Sequence, residues 1–185
     1  MDTEQQLKIS KSIFLVPIVF VLVIWILYAI EITFGYNFNT YGVYPRNLVG
    51  LRGVFLTHFI HSNTNHLFNN SIPLFVLLSS LFYFYRTIAY KVLLYGALWS
   101  GLLTWTIARE SYHIGASGIV YVLFSFVFFS GIIRKHYRLV ALSFVIILSF
   151  GLIRIATSIN SLSKKGTLPS MPQAAKDLLA LKQSY

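Results

Sequence analysis

The 185-residue sequence has no cysteine and little charge of any kind, 11% against 56% hydrophobic residues. Without cysteine there is no disulfide and no thiolate metal site, and the redox compartment is not readable. With so few charges and a mean hydropathy of +0.69, the chain is too apolar for a soluble domain of its length and belongs in a bilayer. The formal charge of +10 invites a nucleic-acid reading. The basic residues form no stripe interleaved with aromatics, however, and sit instead at the ends of apolar runs, so no nucleic-acid partner is expected.

What is abundant is helix-length apolar sequence. A helix needs about 20 apolar residues to cross a hydrocarbon core, and runs of that order lie near 13–34, 67–85, 91–108, 117–133 and 139–156. They predict an integral, multi-pass membrane protein with five helices. The first run is long for a signal-peptide core and is followed by no clear small-x-small cleavage site, so it is read as a retained helix. Glu31, at its outer end, reads as interfacial. Lys8, Lys11, Arg86, Lys91, Arg134, Lys135 and Arg138 alternate with Arg46, Arg52 and Arg109 across successive loops. That asymmetry puts the N-terminus in the cytoplasm. The segment Gly35 to His66 is long for a connection and rich in tyrosine, which anchors at membrane surfaces.

The last stretch departs from the pattern. From Arg154 to Tyr185 the polar residues and Pro169 and Pro172 leave no apolar span of membrane length. A division into a membrane domain, 1–156, and a divergent polar segment, 157–185, is expected, with a short surface amphipathic helix over Gln173 to Leu181.

Two polar clusters open apolar runs: His61, His66, Asn69 and Asn70 before one, and His113-Ile114-Gly115-Ala116-Ser117-Gly118 before another. Polar groups in hydrocarbon are costly unless they face a protected cavity, so the pair suggests a hydrated site within the membrane. His66 and Asn70, four apart, share a helix face. The plainer alternative for this cluster is a capped helix start, with Asn63, Thr64 or Asn65 as the cap, but it explains Asn70 poorly because that residue lies a turn inside. Ser117 at a helix start feels unpaired backbone N–H groups and the positive dipole end, which favour an anionic intermediate. Gly115 and Gly118 suit close backbone approach, to a substrate or to a neighbouring helix.

Gly115-Ala116-Ser117-Gly118 resembles the Gly-x-Ser-Gly signature of the rhomboid intramembrane serine proteases. His66-Leu67-Phe68-Asn69-Asn70 resembles that family's His-Leu-x-x-Asn pattern, with His61 matching an additional upstream histidine and Tyr121 a tyrosine one turn after the serine. The order of elements also agrees over roughly residues 13 to 150, while Leu51-Arg52 stands where many members carry Trp-Arg. The resemblance implies an all-α, polytopic transmembrane helix bundle of rhomboid type, with five membrane helices plus a degenerate sixth segment. It implies Ser117 as nucleophile, His66 and Asn70 at the oxyanion, and transmembrane proteins as substrates or clients within the lipid bilayer. No cofactor or metal is indicated.

A serine hydroxyl needs a base, which rhomboids supply from a histidine on the sixth helix. No histidine follows His136 here, and the best local match to that helix, Lys165-Gly166-Thr167-Leu168, puts Thr167 at the histidine's position. His113 precedes Ser117 by four residues but reads as a support of the approach turn, and His136 falls on the opposite membrane face. The break after about Phe150 has two readings, divergence to a pseudoprotease or a coding error. The expectation is an intramembrane serine endopeptidase severely impaired in this chain, or alternatively a pseudoprotease that binds transmembrane helices without cleaving them.

Overall fold

The computed structural model describes residues 12–164. The apolar runs become α1 (Ser12–Phe34), α3 (Thr64–Phe84), α4 (Ala89–Ile107), α5 (Ser117–Ile133) and α6 (Tyr137–Lys164), with a single-turn α2 (Gly53–Leu56) inside the long connection. Extended pairing among the described residues is confined to one bridge between Val43 and His113. α6 continues past residue 156 because no glycine or proline interrupts the chain between Gly151 and Gly166. The chain divides into two units inside α6, one up to Ile147 and one from Leu148 onward. Thr167 and the stretch Gln173 to Leu181 lie outside the described residues.

By length and composition, Ile13–Phe34, Thr64–Phe84 and Tyr137–Asn160 can each cross a membrane. Leu15, Ile18, Leu22 and Ile26 of α1 are exposed, a row that water would penalise and that acyl chains cover. α3 is the opposite case: Leu67, Leu74, Leu77, Leu78 and Leu81 are fully buried. It runs through the middle of the bundle, with α1 on one side and α5 on the other, and α4 packs on α5.

Polar links fix the pairing of α1 with α3. Trp25 Nε1 donates to Ser71 Oγ at 3.0 Å, and Ser71 in turn donates to the Leu67 carbonyl. Tyr28 meets Thr64 at 3.1 Å. As α1 advances from Trp25 to Tyr28, its partner retreats from Ser71 to Thr64, so the helices are antiparallel. The Trp25 indole and the Ser71 hydroxyl are both satisfied as donors, as an apolar surrounding requires.

The segment between α1 and α3 is folded rather than loose. Asn37 and Asn47 cap short 3-10 turns at Phe38–Tyr41 and Leu48–Arg52 through their side-chain oxygens. Glu31 accepts from the Phe38 N–H at 2.9 Å, so this carboxylate anchors the start of the loop. Arg46 N–H reaches the Trp105 carbonyl at 3.0 Å, and Trp105 Nε1 returns to the Asn47 carbonyl at 2.9 Å. The backbone of α2 lies directly on α4: a Cβ added at Gly101 would stand 2.2 Å from the Val54 carbonyl oxygen.

That obstacle is main chain and cannot swing away. Gly101→Ala is therefore expected to lower stability by about 1–3 kcal/mol, the cost of overpacking, read as a drop in thermal midpoint in detergent. An unchanged midpoint would mean that α2 is not docked on α4.

Candidate active site

α3 begins with a cap. Asn63 Oδ1 accepts from the His66 N–H at 2.8 Å, so the capping reading holds for Asn63 and does not compete with a role for His66. The Asn63 amide also donates to Ser62 Oγ at 3.1 Å, and Ser62 Oγ lies 3.2 Å from His66 Nδ1. With Ser62 accepting from Asn63, its own hydrogen is available to Nδ1, and in that arrangement a neutral imidazole carries its proton on Nε2. One turn on, Asn70 is 1% exposed, and neither amide atom of its side chain has a hydrogen-bond partner among the described residues. Pro73 lacks the N–H that would otherwise bond the Asn69 carbonyl in this turn.

The second half of the site is a turn held from outside itself. Val43 and His113 exchange backbone hydrogen bonds of 3.0 and 2.8 Å. Thr57 grips the turn twice: its hydroxyl donates to the His113 carbonyl at 2.6 Å, and its carbonyl accepts the Gly115 N–H at 2.8 Å. Gly115 takes φ +112°, and a Cβ there would lie 2.6 Å from His66 Nε2 and 3.5 Å from Asn70 Nδ2. Glycine is required on both counts. The Ala116 N–H points to His61 Nε2 at 3.4 Å. Burial first, and then the neighbouring His66, pushes the His61 pKa down to about 4, so His61 is neutral at physiological pH and accepts that N–H. Its ring stands edge-on to His66 with centroids 5.1 Å apart. α5 then starts at Ser117, with its first N–H groups at the helix's positive end.

The two polar clusters, about fifty residues apart in sequence, thus meet at Gly115. The glycines divide the two roles the sequence left open. Gly115 faces His66 and Asn70, whereas Gly118 faces α4, where a Cβ would lie 3.2 Å from Ser100 Cβ and 3.8 Å from His58 Cε1. Ser117 is half-buried. Tyr121, one turn further, is 50% exposed. His113 Nε2 sits 2.9 Å from the Arg109 carbonyl, a bond within the approach turn. His136 follows α5, whose 17 residues span about 25 Å, far from Ser117. Three contributors escape a sequence reading: Thr57, Ser62 and His58, which is buried with Nε2 3.0 Å from the Ala97 carbonyl. Thr57 and His58 act through hydrogen bonds to main chain dozens of residues away, and Ser62 through a local one to His66.

The family model of the rhomboid domain matches residues 50–167. The chain belongs to the rhomboid family. The match runs from the connection between α1 and α3 through both polar clusters and, with the apolar helices, makes this an integral membrane protein. Uncharacterized proteins of Mycobacterium tuberculosis and Mycobacterium bovis are 29% identical over 141 residues, covering 71% of this chain and 58% of theirs. The chain thus spans little more than half the length of these relatives. No solved structure matches it.

A buried amide without partners costs about 1–3 kcal/mol. Asn70→Leu, which keeps the volume and removes the polar atoms, is expected to leave the thermal midpoint unchanged or raise it. A fall of several degrees would mean that the amide is hydrogen-bonded in the folded protein.

Proposed function

We propose that this rhomboid is an intramembrane serine endopeptidase acting on peptide bonds in or near transmembrane segments, with turnover severely reduced because Thr167 stands where the general-base histidine belongs. The observation that carries the reading is the buried, unpartnered Asn70 amide beside the strained Gly115 turn, with His66 on the same spot. In this reading Ser117 Oγ attacks the scissile carbonyl as its proton passes to water, and the oxygen, as it becomes anionic, takes hydrogen bonds from His66 Nε2–H, Asn70 Nδ2–H and the Ser117 backbone N–H. Collapse breaks the C–N bond, the amine leaves with a proton from water, and water then hydrolyses the acyl-enzyme. Each preplaced donor of this kind is worth about 2.7–4 kcal/mol in the transition state. Helix-breaking residues in a substrate would help present that carbonyl by freeing it from its own helix.

Depth supports the assignment. Arg134 stacks on Tyr85 at 5.1 Å, tying the ends of α5 and α3 into one basic face. α5 is about 25 Å long, shorter than a hydrocarbon core of about 30 Å, so Ser117 falls below the opposite surface. With the basic face cytoplasmic, the N-terminus is cytoplasmic and the site opens outward. Because the chain has no cysteine, this orientation is directly testable. Tyr36→Cys is expected to react with an impermeant maleimide on intact cells and Arg86→Cys only after permeabilisation. The reverse pattern would invert the topology.

A second reading, a pseudoprotease that binds transmembrane helices, is favoured by one observation: Thr167 stands at the base's position and no histidine follows His136. A fluorophosphonate probe on purified protein separates the two. Slow labelling abolished by Ser117→Ala and accelerated by Thr167→His, by about 10²–10⁴-fold for a restored general base, is the outcome expected of the peptidase. No Ser117-dependent labelling in either background, with capture of a single-span helix retained, would establish the pseudoprotease.

A further inference from the structure

The end of the bundle away from Ser117 holds a recess that the peptidase reading does not use. It has a volume of about 690 Å³ and lies between Tyr83 and Phe84, at the last turn of α3, and Lys135, His136, Tyr137 and Arg138, at the junction of α5 and α6. The face is strongly basic. Arg86 and Lys91 flank the short α3–α4 turn, and Arg134 joins them through its stack on Tyr85. No carboxylate offsets this charge among the described residues. Their acids are Glu31 and Glu110, and both lie at the other end: Glu31 at the end of α1, whose Tyr28 meets the start of α3, and Glu110 paired with Arg46 at 3.3 Å.

Lys135 carries a second, independent signal. It sits in the left-handed region at φ +57°, just past the end of α5, with the His136 N–H bonded to the Gly131 carbonyl at 2.8 Å and the Lys135 N–H to Ile132 at 3.0 Å. This is the helix-end turn in which glycine is the usual residue, and a lysine there is conformationally unfavourable. Strain of this kind persists where the side chain has a use. In the same turn, α6 begins at Tyr137, so the start of a helix lies beside the recess.

We propose that this recess binds the phosphodiester headgroup of an anionic phospholipid, held by Lys135 and Arg138, with the glycerol and first methylenes against Tyr83 and Phe84. The aromatic wall beside a basic rim at a helix end is the chemistry of the membrane interface, and basic pockets at the ends of membrane helices take such headgroups. The site is distinct from the Ser117 region and does not depend on whether the chain cleaves peptides.

The test is titration of the purified full chain in neutral detergent micelles with phosphatidylglycerol, phosphatidylcholine or inorganic phosphate, reading the thermal midpoint. Phosphatidylglycerol is expected to raise it saturably, and the other two are not. Lys135→Gly, which relieves the backbone strain, should show an equal or higher midpoint without lipid. It and Arg138→Gln should each weaken the apparent affinity for phosphatidylglycerol by about fivefold, and Arg109→Gln at the other face should not. Equal responses to phosphatidylcholine, wild-type affinity in both Lys135→Gly and Arg138→Gln, or an equal loss in Arg109→Gln would overturn the proposal. A matching response to inorganic phosphate would show a free-anion site and overturn it as well.

Discussion

The hydrogen bonds between Thr57 and the 113–115 turn hold the rest of the site in place. They pin a glycine at φ +112° against two side chains of the central helix, a backbone shape that the turn would not keep by itself. Around that contact the molecule is arranged in layers. The loop after α1 rests on α4 through Gly101, α4 rests on α5 through Gly118, and α5 rests on α3. Displacement of any layer moves the turn relative to His66 and Asn70.

This arrangement explains why the connection between α1 and α3 is long and folded. It carries Val43, Thr57, His58 and His61, all buried, and delivers them to α4 and to the turn before Ser117. A membrane helix satisfies its own backbone, but a turn at membrane depth cannot, and needs carbonyls and hydroxyls from elsewhere. Thr57, Val43 and the neutral His61 ring supply them.

Charge divides the bundle along its length. The carboxylates of the described chain lie at the end nearer Ser117, and the cluster from Arg134 to Arg138 lies at the opposite end, where no described residue carries the opposite sign. One end thus presents the polar cluster of His61, His66 and Asn70, and the other a run of full positive charges.

The sequence by itself determined the helices, because the length of an apolar run sets what can span hydrocarbon, and α5 begins and ends where the run does. It also determined that His66 and Asn70 share a face, since a four-residue spacing in a helix permits little else. Only the tertiary structure decided that Gly115 serves the polar pocket and Gly118 the helix interface, and that Thr57, Ser62 and His58 belong to the site at all. Many of those contacts run to main-chain carbonyls and amides across dozens of residues. Every residue has such groups, so no side-chain pattern announces which of them will meet.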